Sequence, residues 1–189
     1  MDNSNSSFIH KAILEEIAGT LERCSASEIE SLCQSILKAK RLFVGGAGRS
    51  GLIMKCFAMR LMQLGLKVFV VGETITPSLN NKDMLIIGSG SGETNSMVCI
   101  TEKAKRIGAK IALVTIFPHS SLGKLADINI QISASSIKSS EVSPVVSIQP
   151  LGNLFETSLL ILSDGVVMRL IEILQIDQSM MFTRHANLE

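Results

Sequence analysis

The chain has 189 residues, 46% of them hydrophobic and 19% charged, with a formal net charge of +1, which is enough for one domain with a substantial core. Lys and Arg are scattered rather than massed, and Trp and Tyr are missing, which excludes the basic, aromatic surface that nucleic acids require. The richest apolar stretch, "ETSLLILSDGVVMRLIEIL", carries Glu156, Asp164, Arg169 and Glu172, too many ionisable groups for one bilayer crossing.

The opening "MDNSNSSFIH" holds an acidic residue and no apolar h-region, so it does not read as a secretory signal. Cys24, Cys33, Cys56 and Cys99 form neither a CxxC unit nor a metal-ligand pattern. They are expected to be reduced thiols packed as small apolar residues, and the protein to be cytoplasmic, with neither nucleic acid nor membrane as a partner.

From residue 8 to 39 the apolar positions follow helical period, with Ile9, Ile13, Ile17 and Leu21 on one stripe. This predicts two amphipathic helices, the second from about Ser27 to Lys40. "RLFVGG" then reads as a strand ended by glycines, and "SGLIMKCFAMRLMQLG" as a helix closed by Gly65. Met54, Met59 and Met62 lie at helical spacing, for a core or a subunit interface. "KVFVVG" and "DMLIIG" are strands, "ETNSMVCITEKAKRIG" a helix ending at Gly108, and "KIALVTIF" a strand. A short helix near "SSLGKLA" precedes a fifth strand, "INIQIS". Strands alternating with helices in this way build a parallel sheet with helices on both faces, an α/β three-layer sandwich. Residues 133–149 are Ser-rich and form one long connection, of the kind that is functional or mobile. A long helix follows from about Pro150, a residue suited to a helix start, to Leu174.

Two glycine loops carry the chemistry. "GGAGRSG" has Gly46, Gly48 and Gly51 at dinucleotide-fingerprint spacing, with Glu73 placed where the acidic partner would stand. Against a nucleotide, Arg49 and Ser50 crowd the turn and a second glycine loop serves the next helix. That loop, "GSGSGET" at 88–94, sets the hydroxyls of Ser89, Ser91 and Thr94 among three glycines at the start of a helix. Inward N–H groups, hydroxyls and a helix N-terminus match a compact dianion such as a phosphate monoester. No GK[ST] follows, so the loop does not read as a nucleoside triphosphate site. Ordinary capping by Ser and Thr is the competing reading. Both loops belong at the carboxyl edge of neighbouring strands, and one pocket can use both.

Glu156, early in the long helix among Leu154, Phe155, Leu159 and Leu160, is a candidate base, because an apolar setting makes a carboxylate a stronger one. A first-turn Glu complementing the helix dipole is the alternative. Arg49, helped by Ser50, is placed to steady a developing oxyanion. Glu93 is expected to support its loop through the helix N-terminus rather than touch substrate.

These motifs resemble the sugar isomerase (SIS) domain family. "GAGRSG", "GETITPS" at 72–78, "GSGSGET", "QPLGNLFE" at 149–156 and the terminal "RHANLE" at 184–189 resemble its 6-phospho-3-hexuloisomerase branch in order and spacing. Ile75 and Asn153 stand where Thr is more usual. The resemblance spans the chain from about residue 8 and implies one SIS domain over 1–189, with a flavodoxin-like five-stranded sheet, N-terminal helices and a long C-terminal helix. It implies interconversion of D-arabino-hex-3-ulose 6-phosphate and D-fructose 6-phosphate in formaldehyde fixation by the ribulose monophosphate pathway. The implied catalytic residues are Glu156 and His185. The implied sugar phosphate site comprises Gly48, Arg49, Ser50, Ser89, Ser91 and Thr94, with Glu73 and Thr74. Neither metal nor cofactor is implied, and the assembly is a homotetramer, or a dimer, with pockets at subunit contacts. Moving a carbonyl from C3 to C2 needs a base, a proton shuttle and donors for a cis-enediolate. His185 suits the shuttle, since imidazole exchanges protons near neutrality. A SIS module that binds a sugar phosphate without catalysis, and a nucleotide-binding protein of Rossmann type, are the alternatives.

Overall fold

The computed structural model describes residues 3–135 and 145–188. Two helices open the chain, α1 (Asn3–Leu21) and α2 (Ala26–Lys38). Then come β1 (Leu42–Gly46), α3 (Gly48–Gln63), β2 (Val68–Val70), β3 (Met84–Gly88) and α4 (Asn95–Ile107). β4 (Lys110–Thr115), α5 (Ser121–Leu125), β5 (Ile128–Gln131), α6 (Asn153–Leu174) and α7 (Gln178–Phe182) complete it. The α1 stripe is only partly used: Ile17 is buried, Ile13 and Leu21 pack beside it, and Ile9 is exposed. α2 begins at Ser25, whose side chain accepts from the Glu28 N–H and so satisfies one of the orphan donors of the first turn.

The five strands are parallel, in the order β2-β1-β3-β4-β5. The alternation of side chains explains the layers. Leu42, Val44, Met84, Ile86, Ala112 and Val114 point to one face, where they join residues from α1, α2, α3 and α6. Phe43, Leu85, Ile87, Ile111 and Leu113 point to the other, under Met97 and Ala104 of α4 and Leu122 of α5. Strands buried on both faces must be apolar throughout, which is why "MLIIG" shows no polar alternation.

The chain moves from β1 outward to β2 and then returns to β3 on the other side, so the order reverses between β1 and β3. Open α/β sheets have their crevice at such a point, beyond the carboxyl ends of the strands. There Gly46 and Gly88 are register partners, and α3 begins so close that a Cβ on Gly51 would lie 2.7 Å from the Gly46 carbonyl oxygen. The glycine spacing of the first loop thus serves a close strand-to-helix approach and needs no dinucleotide to explain it.

Two local expectations need correction, the start of α6 and the packing of the cysteines. α6 starts at Asn153, not Pro150: Leu151 takes a left-handed conformation (φ 56) and Gly152 is the cap, while the Pro150 carbonyl accepts from the Asn153 N–H at 3.1 Å. Residues 136–144 of the Ser-rich connection lie outside the described residues. The tail contains a further short helix, α7, capped by Asp177 accepting from the Met180 N–H at 2.8 Å; five residues are too few to show periodicity. Of the cysteines, Cys33 is buried and burial pushes its thiol up to about 11, whereas Cys56 and Cys99 are exposed. Among the described residues, no helix is long and apolar enough to cross a membrane.

At the opposite edge of the sheet Asp83, whose side chain is buried, is held by Arg41 at 2.6 Å and by the Asn80 N–H at 2.8 Å. Burial pushes this carboxyl up, but these hydrogen bonds outweigh it and hold it below its ordinary value. The resulting stability is present at neutral pH and lost as pH falls through the lowered folded-state value. Asp83→Ala therefore costs about 2 kcal/mol at pH 7, much of it from the orphaned Asn80 N–H. In urea unfolding the gap between variant and wild type narrows as the solution is acidified; a gap independent of pH would contradict the assignment.

Candidate active site

A cleft of about 460 Å³ opens at the strand-order reversal, within the range that small-molecule sites occupy. Its lining comes from the start of α3 (Gly48, Arg49, Ser50), the loop after β3 (Ser89, Gly90, Ser91, Thr94) and the start of α6 (Gly152, Asn153, Phe155, Glu156). Three helix N-termini therefore face one space, each contributing a partial positive charge and unpaired N–H groups. Among the described residues, the ionisable side chains in the lining are Arg49 and Glu156.

The hydroxyl loop is braced from below. The Gly90 carbonyl accepts from the Ile116 N–H (3.1 Å) and the Thr115 hydroxyl (3.2 Å), and the Gly92 carbonyl accepts from the Leu122 N–H (3.0 Å). Gly92 has φ 65, and a Cβ there would fall 1.9 Å from Ser120 Oγ, so no other residue fits. With its carbonyls turned toward β4 and α5, the loop leaves its other groups to the cleft. Thr94 is the N-cap of α4, yet its side chain makes no capping hydrogen bond. Ordinary capping thus does not account for its hydroxyl. Ser91 Oγ accepts only a long bond from the Glu93 N–H (3.3 Å). Glu93 itself accepts from the Ser121 N–H at 2.8 Å, which holds its carboxyl below the usual range. It supports the loop as expected, but through the N-terminus of α5.

Glu156 does not lie in the apolar setting its neighbours imply. Leu154, Phe155 and Leu159 point into the core, and because successive helical residues are rotated by about 100°, Glu156 points the other way, into the cleft. There it accepts from Arg49 Nε at 2.5 Å, its side chain 18% exposed against 65% for Arg49. The Arg49 Nη2 also donates to Asn153 Oδ1 at 2.8 Å. A carboxylate held by a guanidinium at the mouth of an anion-favouring cleft has the parts of a proton acceptor beside an oxyanion stabiliser.

Of the residues expected at the site, Gly48, Arg49, Ser50, Ser89, Ser91, Thr94 and Glu156 share this one cleft. Glu73 and Thr74 do not line it. They follow β2, one strand farther out than β1, and Glu73 is exposed and paired with Lys55 of α3 at 2.6 Å. His185 does not line it either. It lies in a groove with Arg60, Gln63, Asp164 and Met168, its ring 6.0 Å from that of Phe182. Its neighbour Arg184 donates to the Gln63 carbonyl at 3.2 Å. Asp164 is eight residues beyond Glu156 on α6, roughly 12 Å along the axis, so one chain does not bring the imidazole to the carboxylate. Asn153, unassigned from sequence, is in direct contact with Arg49; its amide in "QPLGN" was the available signal.

Residues 35–160 match the SIS domain family. The chain is 45% identical to the 3-hexulose-6-phosphate isomerase of Bacillus subtilis over 94% of its own length and 95% of that protein. It is 38% identical to the 3-hexulose-6-phosphate isomerase of Mycobacterium gastri, over 94% and 88%. A crystal structure of a hypothetical protein from Methanococcus jannaschii, for which a molecular function of 3-hexulose-6-phosphate isomerase was inferred, superposes with a TM-score of 0.82. That protein is 35% identical, with 95% of this chain and 98% of that one covered.

Proposed function

The chain belongs to the SIS domain family, and from that premise we infer that it is an isomerase that interconverts D-arabino-hex-3-ulose 6-phosphate and D-fructose 6-phosphate. Likeness to relatives named 3-hexulose-6-phosphate isomerase over nearly the whole chain supports this reading. The observation that carries it is the Arg49–Glu156 pair facing the hydroxyl loop across one cleft.

The phosphate sits against Ser89, Ser91, Thr94 and the N-terminus of α4, where N–H groups and hydroxyls replace its hydration. That grip places C2 and C3 of the ketose beside Glu156. The carboxylate removes the proton from C2 of the 3-ketose and the electrons move to form a cis-enediolate. Arg49 and Ser50 neutralise the developing oxyanion, and the proton is returned at C3 to give the 2-ketose. The step needs neither electron transfer nor a leaving group.

A second group is needed to move protons between the two oxygens, and His185 of a neighbouring copy fills that role. Supporting this, His185 lies away from its own chain's cleft, in a groove whose apolar members include Met168 and Phe182, both exposed, and α3 exposes Met59 and Met62 as well. Such a patch fits self-association. A homotetramer whose subunits exchange tails, with Glu73 and Thr74 also offered across a contact, is the proposed assembly, and the cytoplasm its location.

Thermal melting tests the substrate class. Fructose 6-phosphate at a hundred times its dissociation constant adds about 2.7 kcal/mol of stability, whereas NAD and ATP at the same concentration add nothing. Stabilisation by NAD alone would overturn the reading.

A further inference from the structure

We propose that Gln149 and Asn153 are positioning residues, forming with Glu16 a line of side-chain hydrogen bonds that orients Arg49 and, through it, Glu156. The inference rests on the reading of Glu156 as the base. Arg49 donates to Asn153 Oδ1 (2.8 Å), Asn153 Nδ2 donates to Gln149 Oε1 (2.7 Å), and Gln149 Nε2 donates to Glu16 Oε2 on α1 (2.9 Å). Both ends fix the direction. A guanidinium can only donate and an ionised carboxylate can only accept, so each amide between them has one allowed orientation. All donors then point from the cation toward the anion, an arrangement in which successive hydrogen bonds polarise one another.

Three further observations support a built relay. Glu16 is anchored beyond it, accepting also from the Ser147 hydroxyl (2.7 Å) and the Ile148 N–H (2.8 Å). Burial pushes its carboxyl up, but these bonds and the Gln149 amide hold it below its ordinary value, and so ionised. Gln149 is 6% exposed, too buried for an amide that serves only solubility. Leu151, between the two amides, keeps a left-handed backbone, a conformation that persists only where its surroundings over-determine it. Arg49 needs such support, because an exposed ion pair alone holds two long side chains in one geometry only weakly.

Steady-state kinetics on the full-length protein test the relay, using Asn153→Leu, Gln149→Leu and Glu16→Leu. Each lowers kcat about tenfold while KM stays within about twofold, because the base is misplaced but the phosphate grip is intact. Asn153→Leu with Glu16→Leu is no worse than either alone, since both break one line. The exchange Glu16→Gln with Gln149→Glu keeps the link with its direction reversed, the amide at position 16 donating to a carboxylate at position 149 that still accepts from Asn153, and recovers most of kcat, which a merely structural lesion would not. Additive losses, unchanged kcat or failure of the exchange to rescue would overturn the proposal. Nitrogen NMR of the Arg49 side chain, assigned with Arg49→Lys, reads the relay without activity. Guanidinium rotation accelerates in Asn153→Leu and Gln149→Leu, and unchanged rotation also overturns it. If rotation accelerates as expected while Glu156→Gln still exchanges substrate hydrogen at the wild-type rate, the assignment of the base has failed and the relay has not.

Discussion

Glu156→Gln leaves fructose 6-phosphate binding nearly intact and lowers isomerisation about a thousandfold. The amide is isosteric with the carboxylate, and its carbonyl oxygen can still accept the hydrogen bond that Glu156 takes from Arg49. What it cannot do is accept a proton from carbon. The hydroxyl loop lies on the other side of the cleft and is braced by the Ile116 and Leu122 N–H groups, so the phosphate site does not depend on residue 156. Ligand-induced stabilisation in thermal melting should persist, while wash-in of solvent deuterium at C2 and C3 disappears along with turnover. Deuterium wash-in at the wild-type rate would remove Glu156 as the base. Loss of ligand stabilisation would assign the residue to binding rather than to proton transfer.

Two nearly inactive variants should restore activity to each other. His185→Ala keeps Glu156, and Glu156→Gln keeps His185; if each site draws its carboxylate from one subunit and its imidazole from another, random co-assembly yields about one quarter of sites with both groups. Activity in the mixture then rises from near background to roughly that fraction of wild type. The basis is the separation within one chain. His185 lies beside Asp164 and Met168 of α6, and Glu156 lies at the start of the same helix, which at 1.5 Å per residue is too far for a shared proton path. Arg184, donating to the Gln63 carbonyl, fastens the tail near the exposed methionines of α3. A mixture that stays inactive, although size-exclusion or mass measurements show hybrid assemblies, would place the imidazole in its own subunit's cleft or remove it from the reaction.

Much of the fold is legible in the sequence because its signals are local. Apolar runs ended by Gly46 and Gly88, helical periodicity and the positive-φ glycines after helices each involve residues a few positions apart. "GSGSGET" similarly announces a bed for an anion, since its glycines and hydroxyls act through the backbone of their own loop. The errors arise where neighbours in space override neighbours in the chain. Apolar residues beside Glu156 in sequence implied an apolar environment, but helical rotation sends Leu154, Phe155 and Leu159 inward and the carboxylate to Arg49. Pro150 looked like a helix start, but Leu151 after it takes a left-handed conformation and Gly152 caps the helix. Glu73, expected at the sugar phosphate site, pairs with Lys55 at the sheet edge of its own chain.

The amino-acid sequence alone determines an alternating α/β chain with two glycine turns at strand ends, one rich in hydroxyls, because periodicity and turn chemistry are encoded within short windows. Only the tertiary structure decides that these turns meet across the β1–β3 reversal, that Arg49 reaches Glu156 across 107 positions of sequence, and that His185 does not join them within one chain. The physical reason is that strand order and long-range pairing follow from burying both faces of the sheet at once, a condition on the whole chain that no short window contains.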